Sequence, residues 1–385
     1  MKSFFLFFLC VLSISLHSQS PLGEGLTDDA PGSWYGYDVD LSADGRRLVV
    51  GAPRTEFDGE EQGAVWVYDY VNGDWQTVGA PVSDPAAVLQ GYSVSISANG
   101  KRLACGAIVT APGGSVTVYE YNGTTWELIA HLYGESEAEW FGFDVALSAD
   151  GQSLAVGSRR DDTVAEDCGK VTVFTEIGGQ WMPVGSPIYG IEDQHMGYAV
   201  ALSADGTVLA AGAPGQWSGE PTEGNVLTFR LESGEWQQFG GTIYGDSPND
   251  GFGAAIALSG DGEYIAISAR GETGVDDNFV EVYSLDGPFW QRVGPKMKSP
   301  GLEGSGFFGH AVAMDYSGSR ILVGDPYYFY YLESNGSAYV FTRENGQYKL
   351  SHSIYARSPV ASKCATANAP SKRACLPSAA PAHAS

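Results

Sequence analysis

The sequence predicts an all-β chain folded as a β-propeller of six four-stranded antiparallel blades, with a seven-bladed or incompletely closed ring as alternatives. Three observations carry this. One pattern recurs six times, from glycines 36, 91, 142, 197, 253 and 309, at spacings of 55, 51, 55, 56 and 56 residues. Each copy holds four strand signals. Two aromatic residues stand seven positions apart in every copy. A fixed period of this size marks a repeat architecture, and four strands per repeat stacked radially make propeller blades.

The first strand alternates, as in Gly142-Phe-Asp-Val-Ala-Leu-Ser. Asp-Gly or Asn-Gly follows at residues 44, 99, 150, 205 and 261, with Ser317-Gly318 in the sixth copy. Such pairs supply the positive φ that a tight hairpin demands. The second strand is a near-continuous apolar run (Leu48-Val-Val, Leu154-Ala-Val), which reads as buried on both faces. It ends at small residues, such as Gly51-Ala52-Pro53, Gly157-Ser158 and Gly212-Ala213-Pro214. The third strand carries Tyr68, Tyr119, Phe174, Phe229, Tyr283 or Phe341, and the fourth Trp75, Trp126, Trp181, Trp236, Trp290 or Tyr348. Rings of this size bury ~150–250 Å² each, so these are expected to pack between neighbouring sheets. A lone blade cannot bury both faces, and a ring lets each sheet cover the next.

With the glycine and the Gly-Ala-Pro element in hand, the chain resembles the FG-GAP repeat family, the propeller repeat of integrin α-chain heads and of secreted microbial and algal proteins. The Phe-Gly part resembles Tyr35-Gly36, Phe141-Gly142, Phe252-Gly253 and Phe308-Gly309, and the likeness spans about residues 34–355. The Leu-Ser-Ala-Asp-Gly variant is closer to the microbial and algal subgroup. Kelch repeats share the blade length, but carry Gly-Gly where this chain has Gly-Ala. The resemblance implies a propeller module for extracellular adhesion or recognition.

Integrin-type repeats hold calcium in the first hairpin, through a D-x-[DN]-x-D-G-x-x-D pattern that supplies several oxygens. Here only the first copy keeps Asp40, Ser42 and Asp44 together, and the closing slots hold Leu or Ile. These three residues are a weak metal candidate. The hairpin reading of Asp-Gly is preferred, and no metal or other cofactor is expected.

Residues 1–20 read as a secretory signal peptide: Lys2, a 13-residue run from Phe4 to Leu16, then small residues. That run is short of the ~20 residues a membrane span needs. Residues 21–356 form the repeat body, and 357–385 an Ala/Ser/Pro-rich tail expected to be disordered. All 46 acids lie in the body against 16 bases, so its net charge is −30, compared with −25 for the chain. That balance argues against a nucleic-acid partner, which needs clustered Lys and Arg. Cys105 lies in an apolar run and no Cys/His spacing suggests zinc. Sequons at Asn122 and Asn335 are glycosylation candidates in a eukaryotic host.

No linear catalytic motif occurs, so the chain is read as a non-enzyme. Binding is better supported. The connections after strands two and four of each blade emerge on one face and are the long, variable ones, and function usually rides on such loops. Candidate ligand contacts there are Trp140, His195, Trp217, Tyr327, Tyr328 and Tyr330, the last three in a run of five aromatics. The expectation is a secreted or cell-surface module that recognises an extracellular protein or glycan through this face, without a membrane span. The other classes considered are an extracellular carbohydrate-active enzyme and a structural surface-layer module.

Overall fold

A computed structural model describes residues 26–27, 30, 32–57, 59–136, 139–215, 223–271, 278–300, 307–326 and 336–355. Among these, all regular structure is β apart from turns, and the sheets are arranged as a propeller. Among the described residues no helix is long and apolar enough to cross a membrane. The first repeat forms Val39–Leu41, Arg47–Ala52, Ala64–Val71 and Asp74–Thr77, paired in that order as an antiparallel meander. The same meander recurs from Ser93–Ile96, Phe141–Leu147, Ala199–Leu202, Ile256–Leu258 and Ala311–Met314. A single parallel bridge, Gly240 to Phe289, joins the fourth and fifth into one eight-stranded sheet.

Each blade covers the next through apolar side chains. Val49, Val65 and Val67 meet Val94, Ile96, Leu103 and Tyr119 between the first two blades. Val226, Ile256, Ile265 and Ile267 do so between the fourth and fifth. Burying such side chains stabilises the fold by ~1.5–3 kcal/mol apiece. The fourth-strand aromatics take the expected place. Trp126, Trp181, Trp236, Trp290 and Tyr348 each lie against the preceding blade. Two of the four indoles keep a partner: Trp290 Nε1 donates to Thr228 Oγ1 at 2.9 Å and Trp236 Nε1 to the Val184 carbonyl at 3.0 Å, whereas the buried Nε1 of Trp126 and Trp181 have none.

The two glycines of the repeat have separate physical reasons. The first, at 36, 91, 142, 197, 253 and 309, has φ between 82° and 96°. In five copies the residue two before it accepts the N–H of the residue after it, as Trp140 does from Phe143 at 3.1 Å. This is a turn whose third position needs positive φ, which glycine supplies without steric cost. The second glycine is a close approach. A Cβ on Gly51, Gly106, Gly157 or Gly212 would lie 2.0–2.2 Å from the carbonyl oxygen of Gly91, Gly142, Gly197 or Gly253 in the next blade.

The Asp-Gly hairpins satisfy their own polar groups. Ser42 Oγ donates to Asp44 Oδ1 at 2.7 Å and accepts the Arg47 N–H at 2.9 Å. Ser148/Asp150, Ser203/Asp205 and Ser259/Asp261 repeat the serine-to-aspartate bond. The turns are also tied to one another. Ala43 N–H donates to the Ala98 carbonyl, Ala98 to Ala149, Ala149 to Ala204, Ala204 to Gly260 and Gly260 to Tyr316, all at 2.8–3.0 Å. One row of backbone bonds thus links the first described blade to the sixth.

Candidate functional site at the axial mouth

The opposite face carries the connections after strands two and four. Two slots flanking the first repeat glycine build its centre. The slot two before the glycine holds Trp34, Leu89, Trp140, His195 and Gly251, all at φ of 54–62°. The slot just after it holds Tyr37, Tyr92, Phe143, Tyr198, Ala254 and His310. The residue between, such as Phe141, Met196, Phe252 or Phe308, is buried between blades. The turn therefore sends one side chain down into the core and brings its two flanking ones together at the mouth. Trp34 stacks on Tyr37 at 5.5 Å and Trp140 on Phe143 at 6.1 Å, with planes within 18°.

The second slot runs from blade to blade as an aromatic arc. Ring centroids are 4.8 Å apart for Tyr37–Tyr92, 5.4 Å for Tyr92–Phe143 and 4.9 Å for Phe143–Tyr198. Beyond Tyr198 the arc ends, because the fifth blade has Ala254 and the sixth His310.

Two arginines close on Tyr198. The residue after the small-residue end of strand two is Pro53, Pro214 or Pro326 in three blades, but Arg159 in the third and Arg270 in the fifth. The Arg159 guanidinium lies 4.7 Å from the Trp140 centroid, 4.7 Å from Phe143 and 5.3 Å from Tyr198. Arg270 Nη2 donates to the Tyr198 hydroxyl at 3.1 Å, and its Nη1 meets His310 Nδ1. His310 is exposed here. Arg160 adds a third guanidinium 5.1 Å from Trp140, paired with Asp167 at 3.3 Å.

His195 is half-buried, with Nδ1 3.1 Å from the Arg159 carbonyl. Burial pushes its pKa below the ordinary histidine value, and the Arg159 and Arg160 charges add to this against the Arg159 carbonyl and Asp167. A neutral ring facing a carbonyl through Nδ1 carries its proton there, which leaves Nε2 as the acceptor.

Beside the mouth, Lys170 is buried among carboxylates from the connections on both sides. Its Nζ lies 2.9 Å from Asp161, 3.3 Å from Glu139 and 3.9 Å from Glu135. Burial opposes the lysine charge, but the Asp161 hydrogen bond and the carboxylate charges outweigh it and hold its pKa above the ordinary value. Asp161 is held below its ordinary value in return: burial raises it, and bonds from Lys170 and Thr163 lower it by more.

Of the ligand contacts expected from sequence, Trp140 and His195 come to this mouth, in the same slot of successive blades. Trp217, Tyr327, Tyr328, Tyr330 and the sequon at Asn335 lie outside the described residues. Sequence reasoning missed Tyr37, Tyr92, Phe143, Tyr198, Arg159 and Arg270. Aligning the six copies column by column would have exposed both the aromatic column and the arginines replacing proline. Asn122 is exposed on the turn between strands three and four of its blade, away from the mouth, with Nδ2 donating to Thr125 Oγ1 and Glu127 Oε1. Asp40 parts from Ser42 and Asp44: it is buried, and its Oδ2 accepts the Ile96 N–H of the next blade at 2.8 Å. Asp38 and Asp144 accept Val94 and Val200 in the same way, at 2.7 and 2.8 Å. Among the described residues no cluster of three metal-binding side chains occurs.

Residues 26–68 match the family model described as FG-GAP repeat. The first blade carries an FG-GAP repeat. The positive-φ glycine recurs in every later copy, and the close-approach glycine in the second, third and fourth. A search of curated proteins returns no match. Among solved structures, the chain is similar to the periplasmic gluconolactonase PpgL of Pseudomonas aeruginosa, at 19% identity and TM-score 0.57, over 83% of this chain and 85% of that one. A Bacteroides uniformis protein provisionally named as a 6-phosphogluconolactonase gives 16% identity and TM-score 0.57, over 84% and 86%. The RRP9 WD40 repeats give 13% identity and TM-score 0.52, over 88% and 86%. At these identities the likeness is one of fold. It corrects the expectation that the chain is not an enzyme, because lactonases are among the propellers it resembles. The physical reason lies in the architecture. A propeller mouth gathers residues from equivalent slots some 50 residues apart, so a search for catalytic motifs along the chain does not test it.

Proposed function

We propose that this FG-GAP propeller is an extracellular recognition module that binds a glycan at its axial mouth. The observation that carries the reading is the row of half-buried rings Trp34, Tyr37, Tyr92, Trp140 and Tyr198, backed by the buried Phe143. Aromatic faces give a sugar ring a flat apolar contact, and they stand here at the centre of a rigid scaffold. The signal-like residues 1–20 and the body charge of −30 support an extracellular setting. Calorimetric titration with neutral and acidic oligosaccharides tests this. Binding that weakens at least tenfold in Trp140→Ala supports it; binding indifferent to Trp140→Ala and Trp34→Ala overturns it.

A second reading is favoured by the named neighbours together with His195. A neutral imidazole with Nε2 as acceptor, beside guanidinium groups, suits general-base attack of water on a sugar lactone, with the arginines stabilising the oxyanion. Turnover of gluconolactone above the spontaneous rate, lost in His195→Asn, would establish it; a rate equal to buffer alone would dismiss it.

A further inference from the structure

We infer that the mouth selects an acidic glycan, with Arg159 and Arg270 receiving its carboxylate or phosphate group. This rests on the glycan reading above. In a body carrying a net charge of −30, acids outnumber bases 46 to 16. A partly buried cation there should find a carboxylate, and most described ones do. Arg47 pairs with Asp69, Arg54 with Glu61, Arg102 with Glu176, Arg160 with Asp167 and Lys296 with Asp246. Arg159 does not. Among the described residues it has no ion pair, and its buried Nε has no hydrogen-bond partner.

What holds Arg159 is a three-sided aromatic box of Trp140, Phe143 and Tyr198. Ring faces stabilise the cation but accept none of its in-plane hydrogen bonds. A planar guanidinium with unused donors is the group that best matches a carboxylate or phosphate. Arg270 reaches the same Tyr198 from the fifth blade, through its hydroxyl. Both arginines stand where three other blades have proline, so the two cations are departures from the repeat that converge on one side chain. The aromatic arc and the cations meet at Tyr198, which suits a ligand whose sugar ring carries an anion.

The test compares tri-galacturonate with neutral maltotriose by calorimetric titration of the whole protein, with inorganic phosphate and an aspartate-rich peptide as further probes. A charge-assisted contact predicts tighter binding of the acidic trisaccharide by about tenfold or more. Arg159→Gln should abolish that preference, and Arg270→Gln should reduce it, with unchanged melting temperatures confirming the fold. Equal affinity for both trisaccharides, or a preference that survives Arg159→Gln, overturns the anion site while leaving the glycan reading standing. If neither trisaccharide binds but phosphate binds in an Arg159-dependent way, the glycan reading falls and the anion site remains. Binding of the peptide alone, or of none of the probes, overturns the proposal.

Discussion

The two ends of this propeller are built from the same six repeats by opposite rules. At the hairpin end, residues from one slot meet their counterparts in the next blade through backbone groups. Ala43, Ala98, Ala149, Ala204 and Gly260 donate in series, the last to Tyr316, so five of the six residues in this slot are Ala or Gly. At the mouth, equivalent slots meet through side chains, and those change from blade to blade: Trp140 against His195, Phe143 against Ala254, Pro214 against Arg159. Backbone bonding holds repeats uniform because every copy needs the same donor and acceptor. Side-chain meeting frees them to diverge, and divergence is what a ligand site requires.

The comparison breaks most sharply at Lys170. This lysine is a mouth-side specialisation, buried with Asp161 and Glu139. Lys170→Met removes the cation and leaves two buried carboxylates facing each other. We expect a loss of about 3–5 kcal/mol, read by urea denaturation, since breaking a buried pair strands uncompensated charge. A loss below about 1 kcal/mol, the scale of an exposed pair, would mean that water reaches the cluster and that the mouth is looser than the hairpin end.

Gly157 tests the shared framework. A Cβ there would sit 2.0 Å from the Gly197 carbonyl oxygen, so Gly157→Ala forces two blades apart. Overpacking of this kind costs roughly 1–3 kcal/mol. Asp40→Ala is a milder probe of the same framework. It leaves the Ile96 N–H of the next blade and the Leu41 N–H without their acceptor, at about 1–3 kcal/mol for a buried group left unpaired. Asp40→Asn should restore part of this, because the amide oxygen can still accept.

These residues also mark how far the sequence could be read. The fold was legible almost in full, since a propeller repeat imposes its demands in every copy. A positive-φ glycine, a close-approach glycine and an aromatic seven residues after another each recur on schedule. The mouth was legible in part. Trp140 and His195 stood out as loop aromatics, but Tyr37, Tyr92, Phe143 and Tyr198 read as ordinary strand starts. Along a strand, the residue after a turn glycine has no marked direction. Only the ring brings four such residues into a row. Arg159 was hidden for a related reason: its partners come from the entry turn of its own blade (Trp140 and Phe143), some 16–19 residues before it, and from the next blade (Tyr198). The Asp40, Ser42 and Asp44 trio shows the converse. The three lie close in sequence, yet Asp40 turns to its neighbour while Ser42 and Asp44 bond within the hairpin.

The smallest effect concerns protons. His195 has its pKa depressed in the fold, mainly by burial and then by the Arg159 and Arg160 charges. The unfolded chain therefore binds a proton more readily than the folded one. Between the depressed folded value and the ordinary value of about 6.5, stability rises with pH. The full contribution is present above pH ~6.5 and is lost as the pH falls through that window. Melting temperature measured from pH 8 to pH 5 should fall more steeply for the wild type than for His195→Asn, which tolerates the left-handed backbone at φ 54° and does not titrate. In the hairpin row, Asp44 is held below its ordinary carboxylate value chiefly by its Ser42 bond, and at Asp205 burial raises the value but the Ser203 and Thr207 bonds lower it by more. Acid should therefore loosen the mouth while the hairpin end stays intact, and hydrogen exchange at pH 5.5 should locate the early opening around residues 159 and 195. Opening that begins instead at the hairpins would reverse the ranking of the two ends.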